Sequence, residues 1–162
     1  MSREIVIEPL TAEGFAPFGQ VLEAEGAPDK LINQGLCGRW HDRAVLEFTD
    51  GRAGISLFRS EIRALPYALE MVERHPLGSQ AFLPMSMDPF LVITAPDAGG
   101  RPDTPRAFRS TPGQGINIAR NTWHGVLTPL HAPGLFAVVD RIGEGANLEE
   151  HWFDEAYVVR DA

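Results

Sequence analysis

The chain has 162 residues, 44% of them hydrophobic, too many for a disordered chain, and it contains no apolar run long enough for a membrane span. Net charge is −8, with thirteen arginines and the single lysine Lys30, which excludes a basic nucleic-acid binder and leaves one lysine for imine chemistry. An anionic small molecule stays open as a ligand, because arginines placed locally decide that.

Thirteen prolines and sixteen glycines punctuate short apolar segments, a spacing that predicts an all-β domain with many turns over residues 1–162. The first eight residues carry no apolar signal core, and the lone Cys37 has no partner for an internal disulfide. Both point to a cytoplasmic protein. In chain order, strands are expected at 4–7, 20–22, 44–48, 54–59, 68–72, 80–84, 90–94, 106–109, 116–118, 125–128 and 136–141. One helical turn is expected after Thr11, with Thr11 as its N-cap. Asp50-Gly51, Asp88-Pro89, Pro112-Gly113 and Ala132-Pro133-Gly134 mark turns, and 95–105 reads as a long hairpin loop. The tail 148–159 carries Trp152, Phe153 and Tyr157 among acidic residues. It is expected to pack its aromatics on the barrel or across a subunit interface.

Two stretches about forty residues apart carry the chemistry. In Glu73-Arg74-His75-Pro76-Leu77-Gly78-Ser79-Gln80-Ala81-Phe82-Leu83-Pro84, Glu73 and His75 share a face if the strand extends that far. A turn at Pro76–Gly78 then brings Gln80, with Phe82 on its face, to the same wall. In Arg120-Asn121-Thr122-Trp123-His124, a histidine follows a glycine-rich turn and a short alternating strand. Either stretch alone is equally well explained by a turn with a hydrogen-bonded imidazole. Together they look like the two half-motifs of a small β-barrel whose mouth holds an active site.

Glu-x-His, four residues, then Gln, and a later Trp-His resemble the two half-motifs of the cupin superfamily, which implies a cupin-like jelly-roll β-barrel with few short helices. The metal ligands of typical cupins correspond here to Glu73, His75, Gln80 and His124. Gln80 is a poor ligand for most transition metals. The two runs, with Ile32-Asn33-Gln34-Gly35, Trp40-His41-Asp42 and Val139-Asp140-Arg141, are similar to the ureidoglycolate lyase family over residues 5–158. The chain departs from that family's pattern at Ile118-Ala119 and at Gly125.

The resemblance implies cleavage of ureidoglycolate into glyoxylate and urea, in allantoin and purine catabolism, by a homodimer. It implies no obligatory cofactor, with a divalent metal such as nickel as an optional one held by His75 and His124. In that reading Glu73, His75, Gln80 and His124 are catalytic: His124 or Glu73 takes the hydroxyl proton, His75 donates to the urea nitrogen, and Gln80 hydrogen-bonds the substrate. Asn33, Arg59, Arg120, Phe82 and Trp123 are expected to bind substrate, with Arg59 or Arg120 on its carboxylate. His41 and Asp140 are secondary candidates. Another cupin enzyme, such as a sugar isomerase or metal oxygenase, and a non-catalytic binder of a small acid are the alternatives.

Overall fold

The computed structural model describes residues 3–162. Strands dominate it, and the only helix among the described residues is the single turn Ala12–Phe15. That turn is capped as expected: the Gly14 N–H donates to Thr11 Oγ1 over 3.0 Å.

Two sheets face one another in a cupin-like barrel. The larger runs, in spatial order, Glu4–Val6, Glu149–Arg160, Tyr67–Arg74, Trp123–His124, Phe90–Ala95, Arg106–Arg109 and Glu8–Pro9, with Thr128–Pro129 also paired to Phe90–Ala95. The smaller runs Gly19–Leu22, Gly115–Ile118, Gln80–Pro84, Leu135–Ile142 and Arg52–Arg59.

Strand alternation explains the core. Along Phe90–Ala95, Phe90 and Val92 face the smaller sheet, where they meet Phe82, Ile116, Phe136 and Val138. Leu91, Ile93 and Ala95 face the other way and join Leu69, Val72, Trp123 and Val159 in a second core. Every residue of that strand is therefore buried, which is why its sequence reads as one apolar run rather than an alternation. Aromatic rings fill the space between the sheets: Phe15 and Phe108 meet edge-on at 5.6 Å, Phe90 and Phe136 at 5.0 Å.

Four elements differ from expectation. Residues 44–48 form no strand beyond a single bridge from Phe48 to Gly78. Side chains take the bonds a neighbouring strand would have made: Gln20 Oε1 accepts from Val45 N–H, Asn117 Nδ2 donates to Val45 O, and Ser79 Oγ accepts from Glu47 N–H. The expected strand at 125–128 is interrupted, with pairing at Trp123–His124 and again at Thr128–Pro129. A hairpin of Lys30–Ile32 and Cys37–Arg39 stands where no strand was expected; Asn33, Gln34 and Gly35 take left-handed φ of 53°, 61° and 85° at its tip.

The tail is the largest difference. It is a 12-residue strand, Glu149–Arg160, paired to Tyr67–Arg74 on one side and Glu4–Val6 on the other. An irregularity between Trp152 and Tyr157 breaks its alternation, which hides the strand from a period-two reading. Phe153 and Tyr157 pack on the second core, but Trp152 is 61% exposed, because the smaller sheet does not cover it.

Candidate active site

Glu73, His75 and His124 meet on the face of the larger sheet that looks toward the smaller one. Glu73 is the penultimate residue of Tyr67–Arg74 and pairs in register with His124 across one strand boundary and with Glu150 across the other. His124 also pairs with Thr94, which shares the inward face of Phe90 and Val92. His75 follows the strand end, two residues past Glu73. The imidazole rings of His75 and His124 lie 5.1 Å apart, inclined by 43°. The ligand atoms of all three side chains fall within 4.8 Å of one another.

Backbone carbonyls fix both imidazoles. His75 Nδ1 lies 2.8 Å from Asn147 O, and His124 Nδ1 lies 2.9 Å from Gly125 O. A carbonyl only accepts, so Nδ1 carries the proton in each ring. The Nε2 atoms are buried without a hydrogen-bond partner among the described residues. In the neutral tautomer each presents a lone pair to the space beside Glu73. Gly125, where the family pattern carries a second histidine, thus contributes its carbonyl to orient the first.

The electrostatics separate the three groups. The His124 pKa is lowered to about 4, by burial first and by the neighbouring His75 second, against a smaller opposing effect of the Gly125 carbonyl. Burial raises the Glu73 carboxyl above its ordinary 4.5; His75 opposes that and Glu150 adds to it. Glu73 is therefore a stronger base than a free carboxylate, and His124 is neutral at pH 7.

Gln80 stands across the barrel on the smaller sheet. It pairs with Ile118 and shares the inward face of Phe82, five positions beyond His75 across the Pro76–Gly78 turn. Its Nε2 donates to Asp140 Oδ2 over 3.2 Å, and its Oε1 is buried with no partner. A carboxylate oxygen accepts, so Asp140 turns the amide to leave its oxygen free.

The remaining candidates are placed elsewhere. Trp123 lies on the opposite face of the sheet from His124, since neighbours in a strand alternate. Its Nε1 donates to Asp97 over 2.9 Å, and the Arg74 guanidinium lies 4.3 Å from its ring centroid, so it buttresses the cluster from behind. Phe82 is core and lines a 20 Å³ cavity between the sheets, room for about one water. Arg59 shares the outer face of the smaller sheet with Leu57 and Ile55. Arg120 lies beside the turn after His75, bonded to Pro76 O and paired with Glu47 over 3.2 Å. Asn33 is exposed at its hairpin tip, and the His41 backbone N–H donates to Asp29. Sequence reasoning missed Thr94 and Asn147. A carbonyl acting on a ring 72 residues away in sequence leaves no local signal.

Two imidazoles and a carboxyl on one inner face of a cupin-like barrel define a compact acid–base or metal-binding centre. The chain belongs to the ureidoglycolate lyase family, whose model matches residues 2–160. It is 64% identical over 148 residues to "Ureidoglycolate lyase" of Rhodobacter capsulatus, covering 91% of this chain and 92% of that protein. It is 54% identical to the protein of that name from Chelativorans sp., over 97% of this chain and 96% of the relative. "Ureidoglycolate lyase 2" of Rhizobium meliloti is 52% identical, over 96% and 97%.

Proposed function

We propose that the protein is a ureidoglycolate lyase, cleaving ureidoglycolate into glyoxylate and urea. The observation that carries this, beside family membership, is the meeting of Glu73, His75 and His124, with both imidazole Nε2 atoms buried and without a hydrogen-bond partner among the described residues. Ureidoglycolate brings the missing donors: one carbon bears a hydroxyl, a carboxylate and a ureido nitrogen. Removing the hydroxyl proton forms the aldehyde C=O of glyoxylate as the C–N bond breaks, and a proton delivered to that nitrogen completes urea. No water enters.

Basicity assigns the steps. Glu73, raised above 4.5, outranks His124 at about 4 as the base for the hydroxyl. His75 is the proton donor to the urea nitrogen when its Nε2 also carries a proton, with Nδ1–H held on Asn147 O. Neutral His124 accepts a substrate hydrogen bond at Nε2. The free Gln80 oxygen accepts from the ureido N–H groups, held by Asp140.

The same three side chains fit a divalent ion such as nickel: two Nε2 lone pairs and a carboxylate are a common donor set, and Gln80 is not one of the three. A bound ion would supply Lewis-acid polarisation of substrate oxygens. The activity is expected to survive chelation in part, since the acid and base are side chains. Assay of the purified protein on ureidoglycolate, with and without chelator, is expected to release urea and glyoxylate one for one. Ammonia in place of urea would remove the lyase assignment. Complete, metal-reversible loss on chelation would make the ion essential. The reaction belongs to allantoin and purine catabolism, and the single free Cys37 agrees with a cytoplasmic setting.

The protein acts as a homodimer in this reading. The outer face of the smaller sheet supports it better than the tail does: Ile55 and Leu57 are 76% and 66% exposed there, with Leu83 and Met85 beside them. Their strand, Arg52–Arg59, is also the sheet's edge. Light scattering is expected to give twice 17.8 kDa for the protein and the single mass for Leu57→Arg. A monomeric parent protein would refute the dimer.

A further inference from the structure

We infer that Arg63, in a groove lined by Glu150, the register partner of Glu73, binds the carboxylate of the substrate. The inference rests on the lyase reading and supplies what that site lacks. Ureidoglycolate is an anion, and the cluster offers it a raised carboxyl and two imidazoles but no fixed cation.

The groove holds about 310 Å³ of space, where small-molecule sites begin (~300 Å³). Met71, Val126, Glu150 and Trp152 line it with Arg63. Register ties it to the cluster. Glu150 pairs with Glu73, and Trp152 pairs with Met71, two residues further along both strands. Two residues of strand span about 7 Å. Val126, two residues after His124, lines both this groove and the cavity between the sheets.

Elimination points to the same side chain. Arg74 lies on the opposite face of the sheet, bound to Asp97 and stacked on Trp123. Arg120 is paired with Glu47, and Arg141 donates to the carbonyls of Thr49, Asp50 and Glu144. Arg59 faces outward. Among the described residues Arg63 is the only cation lining the groove, and it makes no ion pair with a carboxylate there. Its backbone N–H is anchored on Pro129 O at 2.9 Å, its guanidinium carbon lies 6.0 Å from the Tyr67 ring centroid, and its Nε is buried without a partner. A buried guanidinium N–H with no acceptor is costly, and a ligand carboxylate relieves it with a charge-assisted, bidentate bond. Glu70 and Glu150 also border the groove, but both are exposed, so water screens their repulsion.

The test measures glyoxylate binding by NMR titration and ureidoglycolate kinetics on the full chain, for the parent protein, Arg63→Met and Arg63→Lys. Loss of a charged hydrogen-bonding pair predicts ~10- to 100-fold weaker glyoxylate binding in Arg63→Met and a matching rise in KM. Arg63→Lys is expected to recover part of both. The loss should fall on KM more than on kcat, because the carboxylate is unchanged through the reaction. Circular dichroism and thermal unfolding check that both variants fold. Equal glyoxylate affinity in parent and Arg63→Met, or no glyoxylate binding by the parent at all, overturns the assignment. Failure of the parent to cleave ureidoglycolate while Arg63-dependent glyoxylate binding persists removes the lyase reading and leaves the carboxylate site standing.

Discussion

Glu73→Gln is expected to lower kcat for ureidoglycolate cleavage by ~10²-fold or more, the usual contribution of a positioned general base. The substitution keeps size and hydrogen-bonding shape, so the half-buried end of strand Tyr67–Arg74 should be undisturbed. It removes the one group at the cluster whose pKa burial has raised. His124→Ala tests the alternative order of bases. His124, with a pKa of about 4, gives a neutral hydrogen bond worth about 1 kcal/mol, so its loss should cost nearer ~10-fold. Steady-state kinetics with both variants, after unfolding curves confirm that they fold, decide the matter. A larger loss in His124→Ala than in Glu73→Gln would exchange their roles. Near-parent turnover in Glu73→Gln would remove Glu73 from the chemistry.

Much of this site was legible because its spacing is local. Glu73 and His75 are two apart, so a strand that runs to Arg74 puts both on one face, and the sequence marks the turn that follows with Pro76 and Gly78. That His124 meets them needs the barrel, and there the family resemblance carried the reading. Trp123 shows the limit of proximity in sequence. It adjoins His124 yet belongs to the other core, because alternation separates neighbours more surely than distance along the chain. Arg59 follows the same rule, sharing its face with Leu57 and Ile55. Arg63 carried no motif. It precedes its strand, and only the three-dimensional path of Glu149–Arg160 builds the groove that it enters. That long strand was itself hidden by charged residues and by its irregularity between Trp152 and Tyr157. The strand expected at 90–94 is present and runs one residue further, to Ala95.

Acid should destabilise the metal-free protein in a window set by His124. Its folded-state pKa of about 4 lies below the ordinary histidine value of ~6.5, so folding favours the neutral ring. Above pH ~6.5 the ring is neutral folded or unfolded, and its contribution is fully present. As pH falls toward 4, the unfolded chain takes the proton first, and stability is lost at up to ~1.4 kcal/mol per pH unit. Across the window the loss sums to ~3 kcal/mol, and it stops near pH 4, where the folded ring is protonated too. Glu73 acts with the opposite sign. Its pKa is raised on folding, so its contribution grows as pH falls through that raised value toward 4.5. Glu8 and Asp97, both lowered, lose their contributions only at the acid end, as pH falls below the ordinary carboxylate range toward their folded values. The difference between the parent protein and His124→Gln isolates the imidazole. Urea unfolding in chelator from pH 7.5 to 4 is expected to show the two stability curves converging by ~3 kcal/mol, most of it between pH ~6.5 and ~4. Parallel curves across that window would mean that the His124 ring keeps an ordinary pKa in the fold. It would then be an exchangeable acid near neutrality, and the assignment of the proton donor to His75 alone would fail with it.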